Sequence, residues 1–467
     1  MSKVQICSVK EFVNSIKSIC VQFGLVDYSL QSKVVYSLCI FKLVNNIDVD
    51  KDLIKSQTNY VCNNAERTVE ELLQYVSDDR KNDFCVQISD FLENVDVEID
   101  NDKNFLSQVF DCLKSEKIQR MKYAEFFTPQ NIADLMAEIM CVNSKEKSAE
   151  IYDPCAGSGT LVFSLANKLY DKGIKNQKVF VQEISKDTTK LLIINLIVNG
   201  LFSNPECICV DDTLLNPGFK EESGDLKRFD YVVCNPPFKY DFSEVRDLIV
   251  SNWCNSPEHD GFKRFFAGVP NGNVNAKDRM SIYLCFLQHV IYSLKSNGKA
   301  AVIVPNGFLT SDNKMELEIR EVLIKNNWLE GVITLPSKLF STTGTRAAII
   351  FINKKKDNDD NVLFFNASKC ASDQDDEMLN GVGYKMIKNA FVIGEQTSYS
   401  RSVSNEIVKL NEYSFNPARY VEVSNKQQSD FEMKINTVVN EIASLERKRR
   451  RLYTILKKDL EDLDNKK

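Results

Sequence analysis

The chain has 467 residues, 43% hydrophobic and 27% charged, so it exceeds a single ordinary core and two or three structural units are expected. Its formal net charge of −6 excludes a chain that grips nucleic acid alone through a large basic excess; such a role needs a local basic face or a second subunit. No apolar run reaches the ~20 residues of a membrane span, and the opening MSKVQICSVKEF has no signal-peptide core, which predicts a cytoplasmic protein with no membrane partner.

Residues 1–120 read as a helical N-terminal domain. Ser8 and Glu11 form a capping-box pattern ahead of Val9, Phe12, Val13, Ile16 and Ile19, with Gly24 as the stop. Further helices are predicted through Val34, Val35, Leu38, Ile40 and Phe41, from Thr68 and Glu71, and through Phe105, Val109, Phe110 and Leu113, with few strand signals between them.

From about residue 121 to 422 the pattern changes to β-rich runs alternating with helices, which predicts a mostly parallel, seven-stranded α/β sheet of the doubly wound, Rossmann-like type. The expected strands are Glu150–Tyr152, Lys178–Gln182, Cys207–Val210, Tyr231–Cys234, Ala300–Val304, Gly331–Thr334 and Ala347–Ile352. Asp357–Asp376 reads as acidic surface loops around one short strand, Val362–Asn366. In the tail, 423–467, Ile435, Val438, Ile442, Leu445, Leu452 and Leu456 follow alternating three- and four-residue steps, with Arg449 in the polar gap. That is a seam of about three heptads, either a coiled coil with a partner helix or one amphipathic helix on its own domain; the dense charge of Glu446–Arg451 favours the partner.

The sharpest ligand signal is Asp153-Pro154-Cys155-Ala156-Gly157-Ser158-Gly159, a strand running through a small-residue turn into a helix. Such a turn lets the backbone approach a ligand closely. An acid at the strand end and a proline before the turn distinguish it from a dinucleotide fingerprint and suit the methionine end of S-adenosylmethionine. Glu183 ends the next strand, where a carboxylate can accept from both ribose hydroxyls; Asp212 ends the third, placed to accept from the adenine amine. Upstream, Glu125-Phe126-Phe127-Thr128-Pro129-Gln130 opens a helix, with Thr128 as the expected N-cap, Pro129 at N1, and Phe127 as an apolar wall beside the cofactor.

The catalytic candidate is Asn235-Pro236-Pro237-Phe238, at the end of an apolar strand. Two prolines fix φ and remove donors, leaving a rigid set of carbonyl acceptors. That set suits a planar amine held by both N–H groups while its nitrogen attacks. The exocyclic amine of a nucleobase is a poor nucleophile, because its lone pair is delocalised into the ring. Acceptance of its hydrogens by the Asn235 side-chain oxygen and the Pro236 carbonyl draws the nitrogen towards tetrahedral geometry. Positioning and electrostatics then carry the reaction without a strong base. Only two histidines, His259 and His289, are present, and fourteen scattered cysteines show no zinc spacing, so no metal site is expected. Phe238 would stack on a base flipped out of a duplex.

With these motifs together, the chain resembles the N6-adenine DNA methyltransferases, most closely the modification subunit of type I restriction-modification systems. The likeness runs from Phe126 to about Tyr420 and also takes in Gly298–Pro305, Ile319-Arg320, Leu335-Pro336 and Tyr413–Tyr420. It implies S-adenosylmethionine as cofactor, double-stranded DNA as substrate, a separate DNA specificity subunit and a restriction subunit. Lys239–Arg279, read as a substrate-side loop with Arg264, Phe265 and Phe266 near the flipped base, is too short for a target-recognition domain. Two alternatives stay open: a methyltransferase acting on an RNA base or a protein glutamine, and an inactive cofactor-binding scaffold.

Overall fold

A computed structural model describes residues 5–26, 76–97, 128–258, 261–271, 280–336, 346–356, 360–369, 382–395 and 397–421, with scattered single positions elsewhere. Met1–Pro417 forms one compact unit and Ala418–Lys467 a second. The chain starts with β1 (Gln5–Cys7) and α1 (Val9–Gln22), whose start carries the expected reciprocal cap. Glu11 N–H donates to Ser8 Oγ at 3.3 Å, and Ser8 N–H donates to the Glu11 carboxylate at 2.8 Å. Two further elements follow, α2 (Lys81–Asn94) and β2 (Val95–Val97), and β2 pairs parallel with β1. This small sheet departs from the all-helical expectation. Three-residue strands are too short to show a period of two, so sequence pattern could not reveal them.

The N-terminal core is built from Phe12, Val13, Ile16, Val34, Val35, Leu38, Phe84 and Ile88, all fully buried. The expected helix start at Thr68 and Glu71 lies outside the described residues, as do Ile40, Phe105, Phe110 and Leu113.

The rest of the larger unit is organised on one sheet. In chain order come α3 (Gln130–Met140), β3 (Ser148–Asp153), α4 (Thr160–Asp171), β4 (Asn176–Gln182), α5 (Lys186–Val198), β5 (Ile208–Cys209), β6 (Phe229–Cys234) and α6 (Ser243–Trp253). They are followed by α7 (Tyr283–Tyr292), β7 (Leu294–Pro305), α8 (Lys314–Lys325), β8 (Leu329–Thr334), β9 (Ala347–Asn353), β10 (Asn361–Asn366), α9 (Val382–Val392), β11 (Ser400–Ser404) and α10 (Asn405–Leu410). The strand order is β11-β10-β8-β9-β7-β6-β3-β4-β5. The described sheet therefore has nine strands where seven were expected. β9 runs antiparallel to both neighbours and β11 is an antiparallel edge, while the other neighbouring pairs are parallel. Val362–Asn366 is thus a sheet strand rather than a loop ornament. β11 reads Ser-Arg-Ser-Val-Ser, with Val403 its one apolar side chain, so it carries no hydrophobic alternation to read.

Both faces of the sheet are covered, which is why its strands are near-continuous apolar runs: every residue of β9 is buried. The helices α3 and α4 pack their apolar faces with Ile151, Tyr231, Ile303 and Ile349 in one core. The far face of α5 serves the other core, because Ile193, Ile194 and Ile197 pack with the N-terminal helices. Strand order reverses around β3, flanked by β4 on one side and β6 on the other, and such a switch point opens a crevice beyond the carboxyl ends of the strands. No helix among the described residues is long and apolar enough to cross a membrane. In the second unit the described residues are the short helix Ala418–Val421 and helical positions at Leu445, Glu446, Lys448 and Arg449. Leu445 is 63% exposed. Ile435, Val438, Ile442, Leu452 and Leu456 of the expected seam lie outside the described residues.

Candidate active site

The turn after β3 is tied to three neighbouring segments. Asp153 Oδ1 accepts the Cys155 N–H at 2.9 Å, and the Ala156 N–H donates to the Gln182 carbonyl at 3.0 Å, at the end of β4. Asn195 of α5 donates to the Ser158 carbonyl at 2.7 Å, while Thr213 Oγ1 donates to the Pro154 carbonyl at 2.7 Å. Gly157 and Gly159 have φ of 54° and 85°. A Cβ on Gly159 would stand 2.7 Å from Leu192 Cδ1, so the left-handed backbone favours glycine there and any side chain would also have to displace Leu192.

Burial pushes the Asp153 carboxyl up to about 8, with the nearby Glu183 charge adding to it. Its Oδ2 is buried without a hydrogen-bond partner. An acceptor left so is costly, and a cationic ligand group at the turn would satisfy it.

Glu183 follows β4, and each of its carboxylate oxygens already takes a backbone donor: Oε2 accepts the Gly157 N–H at 3.0 Å and Oε1 the Ser185 N–H at 2.9 Å. A carboxylate has about four lone-pair sites, and with the Ile184 N–H as a third backbone donor, capacity to accept from a ligand hydroxyl is still left. Burial raises its pKa, opposed by those backbone donors. The adjacent Ile184, which the sequence reading passed over, is 67% exposed beside this acid.

Asp212 lies three residues past the end of β5, not on the strand itself, because β5 stops at Cys209. Its Oδ1 accepts from Leu214 N at 2.8 Å and Leu215 N at 3.3 Å, shaping the turn it opens.

That turn rests on Arg264. Arg264 is fully buried and donates to the Thr213 carbonyl at 2.7 Å, the Leu214 carbonyl at 2.9 Å and His289 Nδ1 at 3.1 Å. Trp253 and Phe265 lie 4.7 Å and 4.8 Å from its guanidinium. Arg264 therefore holds the Asp212 loop from beneath rather than facing a flipped base as expected, since burial and backbone acceptors engage its donors. Burial also depresses the His289 pKa, so its ring is neutral and Nδ1 can accept.

Beyond β6, Asn235 is half-buried, Pro236 buried, and Pro237 and Phe238 half-buried. β3 and β6 pair parallel with Ile151 opposite Tyr231 and Tyr152 opposite Val232. The chain leaves both strands at the same end of that parallel pair, and the Cys155 side chain, in the glycine turn, lies close enough to interact with that of Cys234, which precedes Asn235. The two turns thus share one crevice. Asn235 Nδ2 donates to Thr128 Oγ1 at 3.0 Å. Thr128 is therefore not the cap of α3: Pro129 occupies that position with ψ 140° and without a side-chain bond, and Thr128 faces Asn235 instead. Gln130 Nε2 donates to Asp134 at 2.8 Å and to Ser164 at 2.9 Å, joining α3 to α4. The Phe238 ring meets Tyr283 edge-on at 6.4 Å. Glu125, Phe126 and Phe127 lie outside the described residues. Among the described residues no His, Cys, Asp and Glu cluster has metal-site geometry.

Comparison with known proteins gives a consistent set. A family model described as N-6 DNA Methylase matches residues 101–429. The type I restriction enzyme HindI methylase subunit of Haemophilus influenzae is 26% identical over 332 residues, covering 68% of this chain and 69% of that protein. The MpnII methylase subunit of Mycoplasma pneumoniae is 26% identical over 345 residues, covering 73% of this chain, which spans only 60% of that relative's length. Among solved structures, the methyltransferase subunit of the type I restriction-modification system from Streptococcus thermophilus matches with a TM-score of 0.58 at 20% identity, over 89% of this chain and 99% of that one. A chain from a study of assembly and conformational transition in the type I R-M system matches at 0.52 and 17% identity, over 98% and 99% of the two chains. At such identities the structural matches speak for fold.

Proposed function

The chain belongs to the N-6 DNA methylase family, and on that premise we propose that it transfers a methyl group from S-adenosylmethionine to the N6 amine of a flipped adenine in double-stranded DNA, as the modification subunit of a type I restriction-modification system. The observation that carries this reading is the shared crevice: the Asn235 turn and the glycine turn leave adjacent parallel strands in matching register. The family match favours DNA over an RNA base or a protein glutamine.

The cofactor-binding residues are Glu125 to Gln130, Asp153 to Gly159, Glu183 and Asp212. The unpartnered Asp153 Oδ2 supports an ammonium at the turn. When bound, the cofactor supplies an electrophilic methyl on a sulfonium. Asn235, Pro236, Pro237 and Phe238 do the positioning. No described residue donates to Asn235 Oδ1 or to the Pro236 carbonyl, so both are available to accept the two amine hydrogens. Their acceptance localises the nitrogen lone pair for in-line attack, and the methylated nitrogen, now positively charged and strongly acidic, loses one proton to solvent water. Phe238, steadied by Tyr283, offers a ring to the flipped base. Residues 1–120 act as a domain of helices with the small β1–β2 pair, 121–422 as the catalytic domain with a Rossmann-like core, and 423–467 as a partner-binding helix. Sequence reading falls to a specificity subunit, and a restriction subunit joins the assembly.

The test is transfer of labelled methyl to DNA, with N6-methyladenine mapped by sequencing. Asn235→Ala is expected to lower kcat by about 10²- to 10³-fold, as loss of one preorganised charge-stabilising contact does elsewhere. Cofactor affinity should be unchanged. An active Asn235→Ala enzyme would remove Asn235 from the mechanism, and a wild-type chain that binds cofactor but methylates nothing would leave the scaffold alternative.

A further inference from the structure

We propose that Thr128 is a positioning residue for the transfer step, acting through Asn235 by pinning its carboxamide so that Oδ1 faces the target amine; this rests on the methyltransferase reading above. Only the oxygen of a carboxamide can accept from an amine, and a carboxamide turned half a revolution presents a second N–H₂ group to the substrate. Rotation about the asparagine χ2 is broad and weakly restrained, so an exposed carboxamide left alone samples both senses. Thr128 Oγ1 removes that freedom by accepting the Nδ2 proton at 3.0 Å, across 107 residues of sequence.

Thr128 itself is well anchored. It is 5% exposed, its β-branched side chain is stiff at χ1, and it sits next to Pro129, the cap of α3. The first turn of α3 is bonded to Ser164 of α4, the helix that grows out of the glycine turn. The hydroxyl is consequently referenced to the same rigid body that carries the cofactor turn. In the observed orientation Nδ2 is held by Thr128, so Oδ1 is the carboxamide atom left to face the target amine.

The experiment uses the full-length chain purified with its specificity subunit, a DNA duplex carrying the target site, single-turnover methyl transfer and calorimetric cofactor binding. Thr128→Val keeps the shape without the hydroxyl; Thr128→Ser keeps the hydroxyl. Thr128→Val is expected to slow the single-turnover step at saturating cofactor by about 10- to 100-fold, the order expected for a misaligned reacting group. Thr128→Ser is expected to restore the rate to within about threefold, which a merely structural role would not require of a smaller side chain. A Thr128→Val enzyme at the wild-type rate overturns the role of Thr128 alone. So does a slow Thr128→Val enzyme that recovers fully at saturating cofactor, because the defect would then lie in cofactor binding. Wild-type protein that transfers no methyl to DNA overturns the functional reading and this role with it.

Discussion

Asp153 is the residue at which burial and ligand chemistry meet. Its carboxyl is buried, pushed up to about 8, and short of one hydrogen-bond partner. In the ligand-free protein at neutral pH it is therefore mostly protonated, whereas a cationic ligand favours the ionised form. Cofactor binding should expel a proton, so affinity rises as pH climbs towards about 8 and falls above it, where the ligand's own α-ammonium, with an ordinary pKa of about 7.7–8.0, loses its charge. The folding linkage has the opposite sign: a carboxyl raised from 3.8 to about 8 stabilises the free protein fully below pH 3.8, and that contribution is lost as pH rises through about 8. Calorimetry at several pH values in two buffers reads the expelled proton. Asp153→Asn should abolish the rise, even though Glu183 beside it is also raised by burial. A pH-independent wild-type affinity would remove Asp153 from the ligand site. Asp153, Gly157 and Gly159 were legible in sequence because their residue types are dictated by local backbone and by charge. The hydrogen bond between Asn235 and Thr128 was not, since a Thr-Pro pair before a helix looks like a cap whether or not the hydroxyl is spent there.

At the scale of elements, the crevice is shaped by how loops are held beneath it. The Asp212 loop hangs on one buried cation: Arg264 takes the Thr213 and Leu214 carbonyls, and Thr213 in turn holds the Pro154 carbonyl of the glycine turn. A neutral His289, itself within 3.2 Å of the Tyr152 hydroxyl, completes the support. Arg264→Met should leave two buried carbonyls unpaired and cost on the order of 2 kcal/mol of stability. It should weaken cofactor binding while sparing the rate at saturation, because Asn235 is untouched. A thermal melt and cofactor titration check this; unchanged affinity would show that the Asp212 loop does not need that support. None of this could be read from sequence, since an arginine among phenylalanines in a polar stretch looks like a surface contact. The strands were legible where burial on both faces wrote a continuous apolar run, as in β9, and illegible where a strand was short or polar, as in β1, β2 and β11.

For the whole molecule, charge and division of labour go together. A net charge of −6 gives the chain no electrostatic grip on DNA of its own, and Lys239–Arg279 is too short for a recognition domain. Binding should therefore depend on a basic partner. Deleting residues 425–467 is expected to release the specificity subunit on co-purification while leaving the cofactor affinity of the remaining chain intact, because the larger compact unit ends at Pro417. Co-purification undiminished by the deletion would place the docking surface elsewhere. The chain alone should bind duplex DNA weakly and with a shallow dependence on added salt, as a gel-shift series would record.

Sequence by itself determined the reaction class, because the Asp153–Gly159 turn and the Asn235–Phe238 turn each need particular residue types for backbone conformation and for hydrogen-bond capacity, and those needs are local. Tertiary structure decided what those turns touch: that Asn235 leans on Thr128, that Arg264 lies under the Asp212 loop, and that β9 inverts the sheet beside β7. Such contacts join residues far apart in the chain, and no local preference of backbone or side chain encodes which distant partner a buried donor will find.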